Sequence, residues 1–148
     1  MSDLLQVLQQ AMRSERDGHQ FYKMAAQQTE DRQAADVFAH LAGEEQRHFG
    51  ALQAEYQSLL DSGSWDPSQA WKETWTPPVA GQGIFSETFR RRLAGRHMEM
   101  AALSIGILLE KQSFEYYARQ AERANDPQIQ RFFRDLADWE EGHYQMLL

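Results

Sequence analysis

The sequence predicts an all-α fold, a four-helix bundle made of two repeated helical hairpins joined by a long crossover, in a single domain over residues 1-148. Three observations predict it. Four stretches carry apolar residues at alternating spacings of four and three, the period that lines up one face of a helix. A short polar break divides each half of the chain into two such stretches. The second half also repeats the first without a gap: Glu110, Tyr117, Glu140 and His143 each stand 95 positions after Glu15, Tyr22, Glu45 and His48. Hairpin 1 is expected over about 2-60, the crossover over about 61-95, and hairpin 2 over about 96-148.

In the first stretch Leu8, Met12, Glu15, His19, Tyr22 and Ala26 fall within an arc of roughly 80° at 100° per residue, a core stripe with a carboxylate inside it. The break is Thr29-Glu30-Asp31, with Asp31 placed to cap the next helix. There the stripe is Ala34, Phe38, Leu41, Glu45, His48 and Leu52. A change of composition follows. Gly63, Trp65, Pro67, Trp71, Trp75, Pro77, Pro78, Gly81 and Gly83 break helix and mark an ordered or partly ordered connector, whose three tryptophans read as cover for the bundle side or a subunit contact. A short helix is expected from Ser86 through Leu93, and the basic run Arg90-Arg91-Arg92 reads as a solvated helix start. A third long helix begins near His97 with the stripe Leu103, Ile107, Glu110, Phe114, Tyr117 and Ala121. Asp126 and Pro127 then supply an N-cap and a first helical position, and Ile129, Phe133, Leu136, Glu140, His143 and Leu147 line the fourth helix.

The breaks also set heights. Folding the first hairpin about residue 30 puts Glu15 and Glu45 both 15 residues from the bend, about 22 Å along the axis at 1.5 Å per residue. Folding the second about residue 125 does the same for Glu110 and Glu140, with His48 and His143 one turn further on. One inward glutamate is ordinary and one Glu-x-x-His pair is weak evidence. Six such residues at mirrored positions inside apolar stripes are different, because burying four carboxylates without a partner costs several kcal/mol each. Four carboxylates and two imidazoles form the ligand complement of a dinuclear metal site in a helical bundle. Two divalent ions would cancel the four negative charges, and the ligand types allow iron, manganese or zinc. Tyr22 and Tyr117, two turns beyond the lone glutamates, are placed to hydrogen-bond a ligand carboxylate or to serve as core aromatics. His19 reads as a satisfied core histidine, Glu44 and Glu141 as neighbours pointing about 100° away from the ligands, and Met12, Met98 and Met100 as packing.

Composition excludes several alternatives. With no cysteine, disulfides, thiolate zinc sites and iron–sulfur clusters are ruled out. A net charge of −7 and a pI near 5.2 argue against nucleic acid and anionic membrane as partners. The opening Met1-Ser2-Asp3-Leu4-Leu5 lacks the basic and apolar regions of a leader, and no apolar run reaches membrane-spanning length, so a soluble cytoplasmic protein is expected.

On Glu15 with Phe21-Tyr22, Glu45-x-x-His48, Glu110 with Tyr116-Tyr117, and Glu140-x-x-His143, the chain resembles the rubrerythrin-like branch of the ferritin-like superfamily. The resemblance implies two iron ions held by those six glutamates and histidines, and reduction of peroxide or dioxygen with electrons from an external donor protein. Oxidation of ferrous iron as substrate is the second activity it implies. A bundle whose site holds zinc for stability, or no metal, and which acts through its tryptophan-rich connector, is a third reading. Rubrerythrins proper carry a cysteine-bearing rubredoxin domain, whereas these 148 residues contain no cysteine. Where they place a further glutamate three residues after the third-helix ligand, this chain has Ser113, with Gly18 at the mirrored position. A homo-oligomer is expected, and the long connector allows a dimer with exchanged hairpins.

Overall fold

A computed structural model describes residues 2–66 and 96–148. Among them are four long helices, α1 (Ser2–Gln28), α2 (Arg32–Ser62), α3 (His97–Arg123) and α4 (Pro127–Leu147), and no strand. The expected short helix from Ser86 to Leu93, the basic run at Arg90, Trp71 and Trp75 lie outside the described residues. No helix among those described is long and apolar enough to cross a membrane.

The breaks act as their residues dictate. Asp31 leaves helical geometry (φ −83°, ψ 118°) and accepts from the backbone N–H of Ala34 at 3.0 Å, so α2 starts with one of its orphan donors satisfied. Asp126 does the same for Gln128 and Ile129, with Pro127 opening α4. Gly63 ends α2 in the left-handed region (φ 70°), a conformation open to glycine without steric cost, and its N–H closes on Leu59 O. Hence α2 runs two residues past the expected end of the hairpin.

Contacts between helices fix their directions. Thr29, just past the end of α1, donates to Glu99 in the first turn of α3, whereas Tyr116 late in α3 donates to Val7 O early in α1, so these two helices are antiparallel. Since α1 and α2 form a hairpin, α2 and α3 run parallel. The end of one and the start of the other lie at opposite ends of the bundle, as a crossover topology requires.

The core has two apolar halves. Tyr22, Phe38, Leu41, Leu103 and Leu147 belong to one, and Leu8, Leu52, Tyr117, Phe133 and Leu136 to the other. The same ring contacts occur in each. Tyr22 stacks on Phe38 with centroids 6.3 Å apart, and Tyr117 on Phe133 at 6.2 Å, partners that again differ by 95 positions. Met12 and Met100 pack against these clusters from partly buried positions, as expected.

Trp65 covers one end, its ring edge-on to Phe132 at 4.9 Å. Next to it the backbone N–H of Asp66 donates to Glu55 Oε2 at 3.0 Å. Glu55 is fully buried, and its other oxygen and the Trp65 indole N–H have no hydrogen-bond partner among the described residues. Burial pushes this carboxyl up to about 7, against the pull of the Asp66 N–H. A carboxyl raised in the folded state binds protons more tightly there than in the unfolded chain. Its contribution is therefore present below the ordinary value of 4.5 and lost as pH rises through about 7. Glu55→Gln keeps an acceptor for Asp66 and cannot ionise. Thermal melts are expected to show the variant more stable than the parent above pH 7, with the gap closing toward pH 4.5; parallel profiles would contradict this.

Candidate metal centre

Between the two apolar halves lies a layer of charge. Glu15 comes from α1, Glu45 and His48 from α2, Glu110 from α3, and Glu140 and His143 from α4, and none is more than 4% exposed. In α2 and α4 the glutamate and histidine are three residues apart, which puts both on one helix face a turn apart. The ligand atoms form two groups, Glu15, Glu45, His48 and Glu140, and Glu45, Glu110, Glu140 and His143, within each of which all lie within 4.8 Å of one another. Glu45 and Glu140 belong to both. The structure thus brings together all six residues singled out from sequence.

The tyrosines cross between hairpins. Tyr117 Oη donates to Glu15 Oε1 at 2.6 Å, and Tyr22 Oη to Glu110 Oε1 at 2.8 Å. Each phenol therefore anchors a carboxylate of the opposite hairpin. The His48 and His143 rings stack with centroids 5.9 Å apart, and His48 Nδ1 lies 2.7 Å from Glu140 Oε1. His143 Nδ1 is 3.6 Å from Glu110 Oε2 and 3.7 Å from Glu140 Oε2, both too long for a hydrogen bond.

Protons divide the carboxylates into two kinds. Burial, then the charges of the neighbouring glutamates, raises Glu45 and Glu140 well above the usual range. On Glu15 and Glu110 the upward push of burial is outweighed by the adjoining carboxyls of Glu45 and Glu140, respectively, and by the nearby histidines. Glu15 is lowered and Glu110 falls to about 2. Like charges cannot all ionise in so small a volume, so the burden of holding a proton falls on one glutamate of each hairpin. For His143 burial is a downward pull, and the Glu110 charge overrides it to raise the value. Both phenols are pushed up, by burial first and then by the carboxylates they bind.

Glu15 Oε2, Glu110 Oε2, Glu140 Oε2 and His143 Nδ1 are buried and find no hydrogen-bond partner among the described residues. Native interiors rarely leave such atoms unpaired. Oxygen and imidazole donors that converge within 4.8 Å and lack protein partners fit divalent cations.

Other candidates sit elsewhere. His19 belongs to neither group, and its Nδ1 is 2.8 Å from Ala42 O, a satisfied histidine. Glu141 is exposed. Glu44 is buried instead, accepting from Trp139 Nε1 at 2.9 Å and pairing with Arg47. The sequence alone places it only as a neighbour of the ligands pointing about 100° away from them. The available signal was Trp139 itself, which stands 95 positions after Glu44 and meets it across the bundle.

Four long helices, a parallel α2 and α3, and a shared carboxylate–histidine layer define a ferritin-like four-helix bundle with a candidate metal centre. The family model described as Rubrerythrin matches residues 6–148, so the chain belongs to the rubrerythrin family of the ferritin-like superfamily. No curated protein and no solved structure gives a match.

Removing either phenol leaves a buried carboxylate oxygen without its donor, a loss worth about 1 to 3 kcal/mol. Tyr22→Phe and Tyr117→Phe are each expected to lower the urea stability of the metal-free protein by about that amount. Unchanged midpoints would mean that the phenols contribute nothing to holding Glu15 and Glu110.

Proposed function

We propose that the chain is a di-iron carboxylate oxidoreductase that reduces peroxide or dioxygen with electrons from a separate donor protein. Glu15 and His48 would hold one ion, Glu110 and His143 the other, and Glu45 and Glu140 both. The observation that carries this reading is that two four-residue groups share those two carboxylates. A pair of ferrous ions supplies two electrons and Lewis acidity toward a small oxidant when bound. The protein's own part is positional and protonic. Tyr22 and Tyr117 keep Glu110 and Glu15 aimed inward, and the two apolar halves exclude water from either side of the layer. Glu45 and Glu140 hold protons in the metal-free protein that they must release to act as ligands, so acid opposes metal binding. In this reading residues 1-148 act as one bundle, in the cytoplasm, within a homo-oligomer.

Anaerobic loading with ferrous iron is expected to give two ions per chain, counted by metal analysis, with affinity falling toward acid pH. Because Glu45 and Glu140 serve both positions, Glu45→Ala or Glu140→Ala should cost both ions, whereas Glu15→Ala or Glu110→Ala should cost one first. One ion or none in the unsubstituted chain would falsify the assignment.

The reaction itself is tested by stopped-flow mixing of the ferrous protein with each oxidant. Hydrogen peroxide is expected to oxidise it faster than dioxygen does, with no large mineral core. Faster reaction with dioxygen together with uptake of many irons per chain would move the protein to iron oxidation and handling.

A further inference from the structure

Helices α1 and α3 touch at two levels and part between them. At one level Tyr22 lies against Gly106, where an added Cβ would come within 3.2 Å of the phenol ring. At the other, Tyr116 Oη donates to Val7 O at 3.0 Å. Between these ties lies a cavity of about 460 Å³ whose wall includes Glu45, Tyr22 and Tyr117. It therefore reaches the carboxylate layer itself. Gly18 makes this possible: a Cβ there would stand 3.4 Å from both Cδ and Oε2 of Glu45, so the missing side chain leaves that carboxylate facing the cavity. Ser113 borders the same space from α3, 95 positions after Gly18.

The opposite side of the bundle is filled. Between α2 and α4 the Trp139 indole donates to Glu44, and its ring meets His48 edge-on with centroids 6.2 Å apart.

Size and lining say what the open side can take. Dioxygen or peroxide needs about the space of one or two waters, each with a share of about 30 Å³ in the liquid. The cavity is many times larger and falls among small-molecule sites, which run from about 300 to 1,000 Å³. Tyr116 and Tyr117 offer aromatic surface, and Ser14, Gln112 and Ser113 offer hydroxyl and amide groups. Asp17 and Arg119 balance one another and no second cation lines the space among the described residues, so an anion would be buried without a partner and is disfavoured.

The geometry points to the α1–α3 cavity as a binding pocket for a small neutral organic molecule bearing a hydroxyl group, held against the Glu45 edge of the carboxylate layer. That such a molecule is a substrate rests on the reading of this layer as a metal centre; the pocket does not.

The test titrates phenol, and benzoate as its anionic counterpart of similar size, into the full chain with and without bound metal, followed by calorimetry and by NMR shifts. Phenol is expected to bind saturably at one site, benzoate about tenfold more weakly or worse, a difference of at least about 1.4 kcal/mol. Gly18→Leu and Ser113→Leu, which fill the cavity from opposite walls, should each weaken phenol at least about tenfold, and Ser113→Ala should not. Should Gly18→Leu fail to fold, Ser113→Leu decides. The proposal is overturned by the absence of saturable phenol binding, by undiminished binding in folded filled variants, or by benzoate binding more tightly than phenol. Metal is counted separately on the same samples. Phenol binding without metal uptake supports the pocket and sinks the metal reading, and metal uptake without phenol binding does the reverse.

Discussion

Four carboxylates at one height in the middle of a helical bundle are the constraint on which the rest of this structure depends. They carry more negative charge than a dry interior tolerates, so the fold surrounds them with every available compensation: two phenol donors, two imidazoles and retained protons on Glu45 and Glu140. Each compensation needs its residue at the right level. The caps at Asp31 and Asp126 start α2 and α4 so that the glutamates of each hairpin meet, and an apolar half of the core at either end of the layer keeps water from reaching it along the bundle axis. The arrangement is costly as protein alone and favourable as a cation site, which is why its chemistry and its stability are hard to separate.

The frame was readable because it rests on period and offset. Stripes at spacings of four and three, polar breaks with Asp at the cap, and a constant offset of 95 located four helices and the six convergent residues, and the tyrosine positions followed from the same stripe. What sequence could not supply was the inequality among equals. Glu15 and Glu45 are the same residue type at the same level, yet one is driven down and the other up, since the split depends on which charges and donors each carboxyl meets within the cluster. Burial and mutual repulsion alone would raise all four, and Glu15 and Glu110 depart from that because of the groups around them. Glu55 lay in plain view, continuing the α2 stripe through Leu52 to Leu59, but a stripe alone does not tell a buried acid at a bundle end from a solvated one.

The offset also breaks where the two sides of the bundle differ. Glu44 and Trp139 occupy mirrored positions with unlike side chains and bond to each other, while Gly18 and Ser113, also mirrored, are both small. A large aromatic on one side and two small residues on the other give a nearly symmetric centre a closed back and an open front. Fold class and donor set follow from what the halves share, and direction of approach from what they do not.

The crossed tyrosine bonds bear on how the chain reaches this state. Tyr22 and Glu110 are 88 positions apart and Tyr117 and Glu15 are 102, so both bonds close only when one hairpin docks on the other. Each hairpin can form early from local contacts, with its pair of glutamates still open to water, because long-range closure is entropically slow. Docking is then the step at which charge is desolvated, and it delivers the phenols that relieve that penalty in the same movement. Assembly of the centre thus requires that docking, and a chain with its hairpins apart would hold most of its helix and none of the convergent layer.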